Sequence, residues 1–283
     1  MEKRTWKTNL FIILMLLPSL ALSLGVLVYP MVNTVIQSFK DPKTGGWTFS
    51  NYVYFFTNKV STASMIYSFW ITIVTVIIAI FVSYLLAIYL RFTDNKISRF
   101  IGSIYLLPRF VPSLVAVYAM TTIVRDSGLI NRISLLFGKD YKPGLLYNAR
   151  GIILMNVWFN IAFATMIIVA ALSNIKDPII ESARDVGANK IQIFFKMILP
   201  LSIKDVMIAM TFIFMSNISS FTTPYLIGPN NPLMLGVYLR RLFSSYHKYE
   251  LAAATSVIIF IFSSISAIVY LYTNLKENEW EQR

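Results

Sequence analysis

The chain of 283 residues is 57% apolar and only 13% charged, carries a formal charge of +12 and has a mean hydropathy of +0.65. A soluble domain has about 25% charged residues, so a soluble enzyme or nucleic-acid-binding domain is excluded; the basic residues lie in short segments between apolar runs, where lipid headgroups are the natural counter-charge. Cysteine is absent, which rules out a disulfide framework and a thiolate metal site, and the single His247 has no His or Cys near it and reads as a polar loop residue.

In chain order, five runs contain no Asp, Glu, Lys or Arg: Leu10 to Ser38, Val60 to Leu90, Gly151 to Ile175, Val206 to Leu239 and Leu251 to Asn274. Each is long enough to close its own backbone hydrogen bonds in hydrocarbon, where an unpaired peptide group costs several kcal/mol, so each reads as a helix. The first run follows Lys3, Arg4 and Lys7, yet it is about twice a signal-peptide core in length and lacks a small-residue cleavage site, so it reads as an uncleaved helix. A sixth stretch, Phe100 to Val124, is interrupted only by Arg109, and Pro108 and Pro112 predict a kink there.

The expected fold is therefore an all-α membrane protein. It forms a single transmembrane domain over 1–283, with spans at about 10–37, 64–90, 100–124, 151–174, 205–227 and 251–274. The basic residues divide almost evenly between the two sides. The amino-terminal cluster and the short loop with Arg91, Lys96 and Arg99 favour a cytoplasmic amino terminus, and an even number of spans returns the tail Lys276 to Arg283 to the same side.

Between the fourth and fifth spans lies a longer charged segment, Asn174 to Lys204. Asp177-Pro178 is a helix-start signal, because proline at the first helical position loses no hydrogen bond. A short helix is predicted from Pro178 to about Val186, a turn at Gly187, and a second helical segment from Asn189 to Ile198 that stops near Pro200.

The residues Glu181-Ser182-Ala183, then Gly187 after three intervening residues, then Met197-Ile198-Leu199-Pro200 after nine more, resemble the cytoplasmic signature of type I ABC importer permeases. That pattern reads Glu-Ala-Ala, three residues, Gly, nine residues, Ile, any residue, Leu-Pro; Ser182 replaces the first Ala and Met197 the Ile. The resemblance implies that 175–200 is a coupling loop docking on a separate ATPase through Glu181, Ser182, Ala183, Gly187, Leu199 and Pro200. It also implies two ATP-binding subunits that hold ATP and Mg, a second permease subunit, an extracytoplasmic solute-binding protein, and residence in a bacterial cytoplasmic (inner) membrane with both termini cytoplasmic. The amino-terminal pattern points to a second permease of different sequence. Leu16-Leu17-Pro18, Tyr29-Pro30, Asn51-Tyr52 and Gly128-Leu129-Ile130-Asn131 look familial too.

Within that superfamily, Ala183 to Ala188 and Ser220 to Pro224 with Leu226-Ile227-Gly228 are similar to polyamine, iron and phosphonate permeases. Asn156-Val157-Trp158 is similar to the sugar branch. A polyamine- or phosphonate-like solute is the expectation, with a sugar as the alternative.

No Gly-x-x-x-x-Gly-Lys-Ser/Thr phosphate loop, paired carboxylates, Ser/His/Asp set or metal cluster is seen, so no catalytic or metal residue is expected on this chain. A secondary transporter would carry Asp or Glu within the spans for ion coupling, and the charge-free runs hold none. Candidate pathway residues are Arg109, costly in hydrocarbon unless it faces a cavity or snorkels to the interface, the i, i+4 pair Asn156 and Asn160, and Asn217, Ser220 and Thr222 in a polar stretch. Such small polar residues equally serve to cement helix packing.

Overall fold

The computed structural model describes residues 6–281, and every regular element in them is helical. In chain order these are α1 (Trp6–Ser23), α2 (Tyr29–Ser38), α3 (Ser50–Thr57), α4 (Lys59–Phe92), α5 (Lys96–Ile104), α6 (Ser113–Val124), α7 (Leu129–Leu136), α8 (Ala149–Ser173), α9 (Asp177–Asp185), α10 (Lys190–Ile193), α11 (Leu199–Ile218), α12 (Thr222–Ile227), α13 (Leu235–Ser244) and α14 (Tyr249–Glu281). Six stretches among the described residues are long and apolar enough to cross a membrane: Phe11–Ser38, Lys59–Phe92, Ser113–Leu136, Ala149–Ser173, Lys190–Ile218 and Tyr249–Ile268. The basic residues Lys3 and Arg4 and the carboxyl end at Arg283 lie outside the described residues.

The chain divides into two compact units. One comprises the chain up to Asn58 together with Leu239–Ile258. In it the Asn51 amide donates to the carbonyls of Ser38 and Lys40, both at 2.9 Å, and the Ser38 and Tyr52 hydroxyls meet at 2.6 Å, tying the end of α2 to α3. From Phe11 to Ile36 the apolar side chains of this first stretch are largely exposed, as expected of a helix whose solvent is lipid or a partner helix.

The other unit, Lys59–Tyr238 with the chain from Ile259 onward, is organised on α4. No Pro or Gly interrupts this helix. Its buried stripe is small and polar: Ser61, Ser64, Ser68, Thr72, Thr75, Ala79, Ser83 and Ala87 recur at three- and four-residue spacing, while Ile66, Ile73, Ile77, Phe81 and Leu85 face outward. This inversion of the soluble pattern lets backbones approach closely. Against it α8 runs parallel, since Ile71 clusters with Ile152 and Met155 whereas Tyr84 and Ala87 cluster with Ile168 and Leu172. The next long helix, α11, runs the other way: its Ser202 meets the Tyr84 hydroxyl at 2.5 Å, and its Ile213 joins Val76 further back along α4.

Three local expectations are corrected. The span placed at about 100–124 is broken: α5 ends at Ile104, a 3₁₀ turn covers Leu107–Arg109, and α6 begins only after Pro112, the apolar crossing stretch being Ser113–Leu136. Pro108 and Pro112 lack the N–H a continuous helix needs, and a proline pushes the residue before it out of the α region. The helix expected to stop near Pro200 instead continues from Lys190 to Ile218. A π turn, Phe194–Ile198, immediately precedes Leu199-Pro200 and widens the helix where the proline ring would otherwise crowd the preceding turn. The same device, Leu24–Val28 before Tyr29-Pro30, keeps the first span helical. Finally, the fifth span, placed at about 205–227, ends at Ile218; α12 is a separate short helix beyond a break at Ser219-Ser220.

Candidate functional site

The segment from α9 through Gly187 to α10 is held by packing and by two caps. Ile180, 5% exposed, inserts with Ile193 and Ile198 into the cluster around Tyr84, Ile168 and Leu172, and half-buried Ala183, Ala188 and Leu199 pack on it. Gly187 has φ +85°, and its N–H donates to the Arg184 carbonyl at 2.9 Å while that of Ala188 donates to the Ala183 carbonyl at 3.0 Å. These are the two bonds of a Schellman cap. Two residues later Asn189 and Gln192 form a reciprocal capping box at 2.8 and 2.9 Å, which opens α10. Glu181 and Ser182 are exposed, the Ser182 hydroxyl donating to the Pro178 carbonyl at 2.8 Å; Pro200 is exposed on the first turn of α11.

Two grooves flank α9. One of about 820 Å³ is lined by Ile179, Ser182, Val186, Gln192, Lys196 and Met197. The other, of about 740 Å³, has the charged side chains Arg91, Asp94, Arg99, Asp177, Glu181 and Arg184 in its lining. Here the hydrogen-bonding Arg99 guanidinium holds the Asp94 carboxyl below its ordinary range. Arg91, at the end of α4, donates to the carbonyls of Leu172 and Ile175 at 3.4 and 3.2 Å and pairs with Asp177 at 2.8 Å. From the residues alone Arg91 reads only as a topological charge; its separation of 86 positions from Asp177 leaves no spacing signal to connect them.

The candidate pathway residues fall in different settings. Arg109 is exposed on the 3₁₀ turn with its guanidinium 4.9 Å from the Phe163 ring, a cation–π contact onto α8. Asn217, 3% exposed, donates to the Ile213 carbonyl at 2.7 Å and the Ser216 hydroxyl at 3.3 Å. Ser220 and Thr222 are half-buried at the break between α11 and α12. On α8 the Asn160 amide donates to the Asn156 carbonyl at 2.6 Å, but the Asn156 Nδ2, in a residue 4% exposed, has no hydrogen-bond partner among the described residues. An unpaired buried amide costs about 1–3 kcal/mol. Asn156→Leu is therefore expected to leave thermal stability of the purified chain unchanged or raised, and to lower solute uptake if water or solute supplies the missing partner; a variant that loses stability instead assigns the amide to packing.

Residues 79–278 match the model of a family described as binding-protein-dependent transport system inner membrane component. The chain belongs to this permease family. Among its relatives, the spermidine/putrescine transport system permease protein PotB of Escherichia coli (strain K12) is 21% identical over 207 residues, 73% of this chain and 75% of that protein. The thiamine transport system permease protein ThiP of Brucella suis biovar 1 (strain 1330) is 30% identical over 125 residues, 44% of this chain and 23% of ThiP. Among solved structures, a bacterial ABC transporter involved in the import of the acidic polysaccharide alginate shares the fold with TM-score 0.79 and 19% identity, covering 96% of both chains. The MetNI methionine ABC transporter in an inward-facing conformation gives 0.58 and 15%, covering 75% of this chain and 93% of that one. This binding-protein-dependent permease is thus a multi-pass inner-membrane subunit of an ABC importer, a transport component rather than an enzyme.

Proposed function

We propose that the chain is one of two permease subunits lining the pore of an ATP-driven importer, with both termini cytoplasmic, and that α9, the Gly187 turn and α10 form its coupling helix. The observation that carries this reading is the outer face of that segment. Ile179, Val186 and Ile191 are 41%, 85% and 69% exposed and Glu181 is exposed as well, on a backbone already fixed by two caps. Exposed apolar side chains and an exposed carboxylate on a preformed element suit a protein partner. That partner is one of two separate ATPases, which supply the sites for ATP and Mg. In the cycle, nucleotide closes the ATPases, the α9–α10 segment carries their motion into α11 and α4, and the pore opens to a solute-binding protein outside; hydrolysis resets it. The second permease is a different chain.

The cargo is a small solute of polyamine or phosphonate type, a reading supported by relatives named for spermidine and putrescine. Asn156-Val157-Trp158 favours a sugar as the second reading. Purification of the tagged chain from its native membrane is expected to retain an ATPase, a second permease and a binding protein, and vesicles holding the assembly are expected to accumulate labelled spermidine only with internal ATP. An assembly that lacks an ATPase overturns the coupling reading; one that carries oligosaccharide and ignores spermidine overturns the cargo.

A further inference from the structure

The Arg91 guanidinium joins three elements. It projects from the last turn of α4, donates from Nε and Nη2 to the Leu172 and Ile175 carbonyls at the end of α8, and from the same Nη2 reaches Asp177 Oδ1 at the first residue of α9. The Leu172 carbonyl also accepts the Ile175 N–H at 3.2 Å, and Ile175 follows the last turn of α8, so this side chain reinforces the exit of α8 as well as pairing with α9. Side-chain exposures of 22% for Arg91 and 63% for Asp177 put the pair at the solvent rim, where an ion pair adds little to folding. Its effect is positional. The contacts through which α9 otherwise meets α4, Ile180 against the cluster holding Tyr84 and Ala87, are apolar and non-directional, whereas a planar fork with several donors fixes both distance and angle.

We infer that Arg91 and Asp177 form a clamp that makes α9 and the end of α4 move as one body, Arg91 acting as a positioning residue that passes displacement of α9 into the α4 helix. The inference rests on the reading of α9 as the ATPase-docking helix.

The test is hydrogen exchange on the purified assembly, with and without AMP-PNP and Mg, for wild type, Arg91→Gln, Arg91→Lys and Asp177→Asn. In wild type, nucleotide is expected to change exchange by about threefold or more in both α9 and the last turns of α4. In Arg91→Gln and Asp177→Asn the response stays in α9 and is lost from α4, with Arg91→Lys intermediate. A purely structural role would raise exchange in both helices without nucleotide and leave their responses linked, and that outcome overturns the clamp, as does a full α4 response in the Gln and Asn variants. Should Arg91→Gln fail to assemble, Asp177→Asn, at an exposed position, decides alone. A wild-type assembly with no nucleotide response in α9 at all defeats the docking reading itself and the clamp with it.

Discussion

Replacing Gly187 by valine is expected to reduce solute uptake per ATP hydrolysed by about tenfold or more while the ATPase remains bound and active. At φ +85° the position lies in the left-handed region, which costs an L-residue about 1–2 kcal/mol and is most hostile to a β-branched side chain. Nothing lies within 4 Å of a Cβ built there, so the cost is one of backbone conformation and not of collision. It falls on the Schellman bonds from Gly187 and Ala188 to Arg184 and Ala183, and thus on the angle between α9 and α10. A loss of about 1.4 kcal/mol corresponds to a tenfold shift between the native turn and its alternatives. Substitutions should rank by tolerance of the left-handed region, with asparagine retaining most coupling, alanine less and valine least. The measurement is uptake and ATP hydrolysis in parallel on reconstituted vesicles. Equal coupling in the asparagine and valine variants would show that the turn's geometry does not matter to transport.

What could be read from the residues alone follows from which signals are local. The number of spans was legible because hydrocarbon imposes apolar runs and an internally bonded backbone, although the third crosses at Ser113–Leu136 and the fifth at Lys190–Ile218. The Gly187 turn was legible because a left-handed residue after a helix is nearly always glycine, and the motif spacing placed it. The uninterrupted helix through Pro200 was not, since a π turn is a backbone adjustment with no fixed residue signature: Phe194–Ile198 and Leu24–Val28 share only the proline that follows. Nor was the end of α11 legible. Ser219 and Ser220 continue a polar stretch that carries no proline or glycine to mark a stop, and the carbonyls at the break lie close against Gly236 of another helix. The small polar face of α4 was present in the sequence at helical spacing, but hydropathy weighs every position alike and so passes over which face turns inward.

That approach of Gly236 supports the second large effect. A methyl group at this position would sit 2.6 Å from the Ser220 carbonyl oxygen and 2.9 Å from that of Ser219. Both are backbone atoms, so no rotamer change can relieve the contact. Withdrawal of α13 is opposed as well: the Leu235 N–H donates to the buried Ser68 hydroxyl at 2.7 Å, and Leu235 and Met234 are almost wholly buried. Gly236→Ala must therefore displace the Ser219-Ser220 break, at an overpacking cost of about 1–3 kcal/mol. The expected result is a lower melting temperature of the purified chain together with a sharp loss of uptake. Ser220→Ala removes the neighbouring hydroxyl without crowding. If the polar stretch from Ser216 to Thr223 lines the solute path, that variant loses uptake at unchanged melting temperature, separating the chemistry of the hydroxyl from the geometry of the break. If Ser220→Ala instead transports normally and only Gly236→Ala fails, the stretch serves to let α11 and α12 meet α13, and the path must be sought at Asn156 on α8.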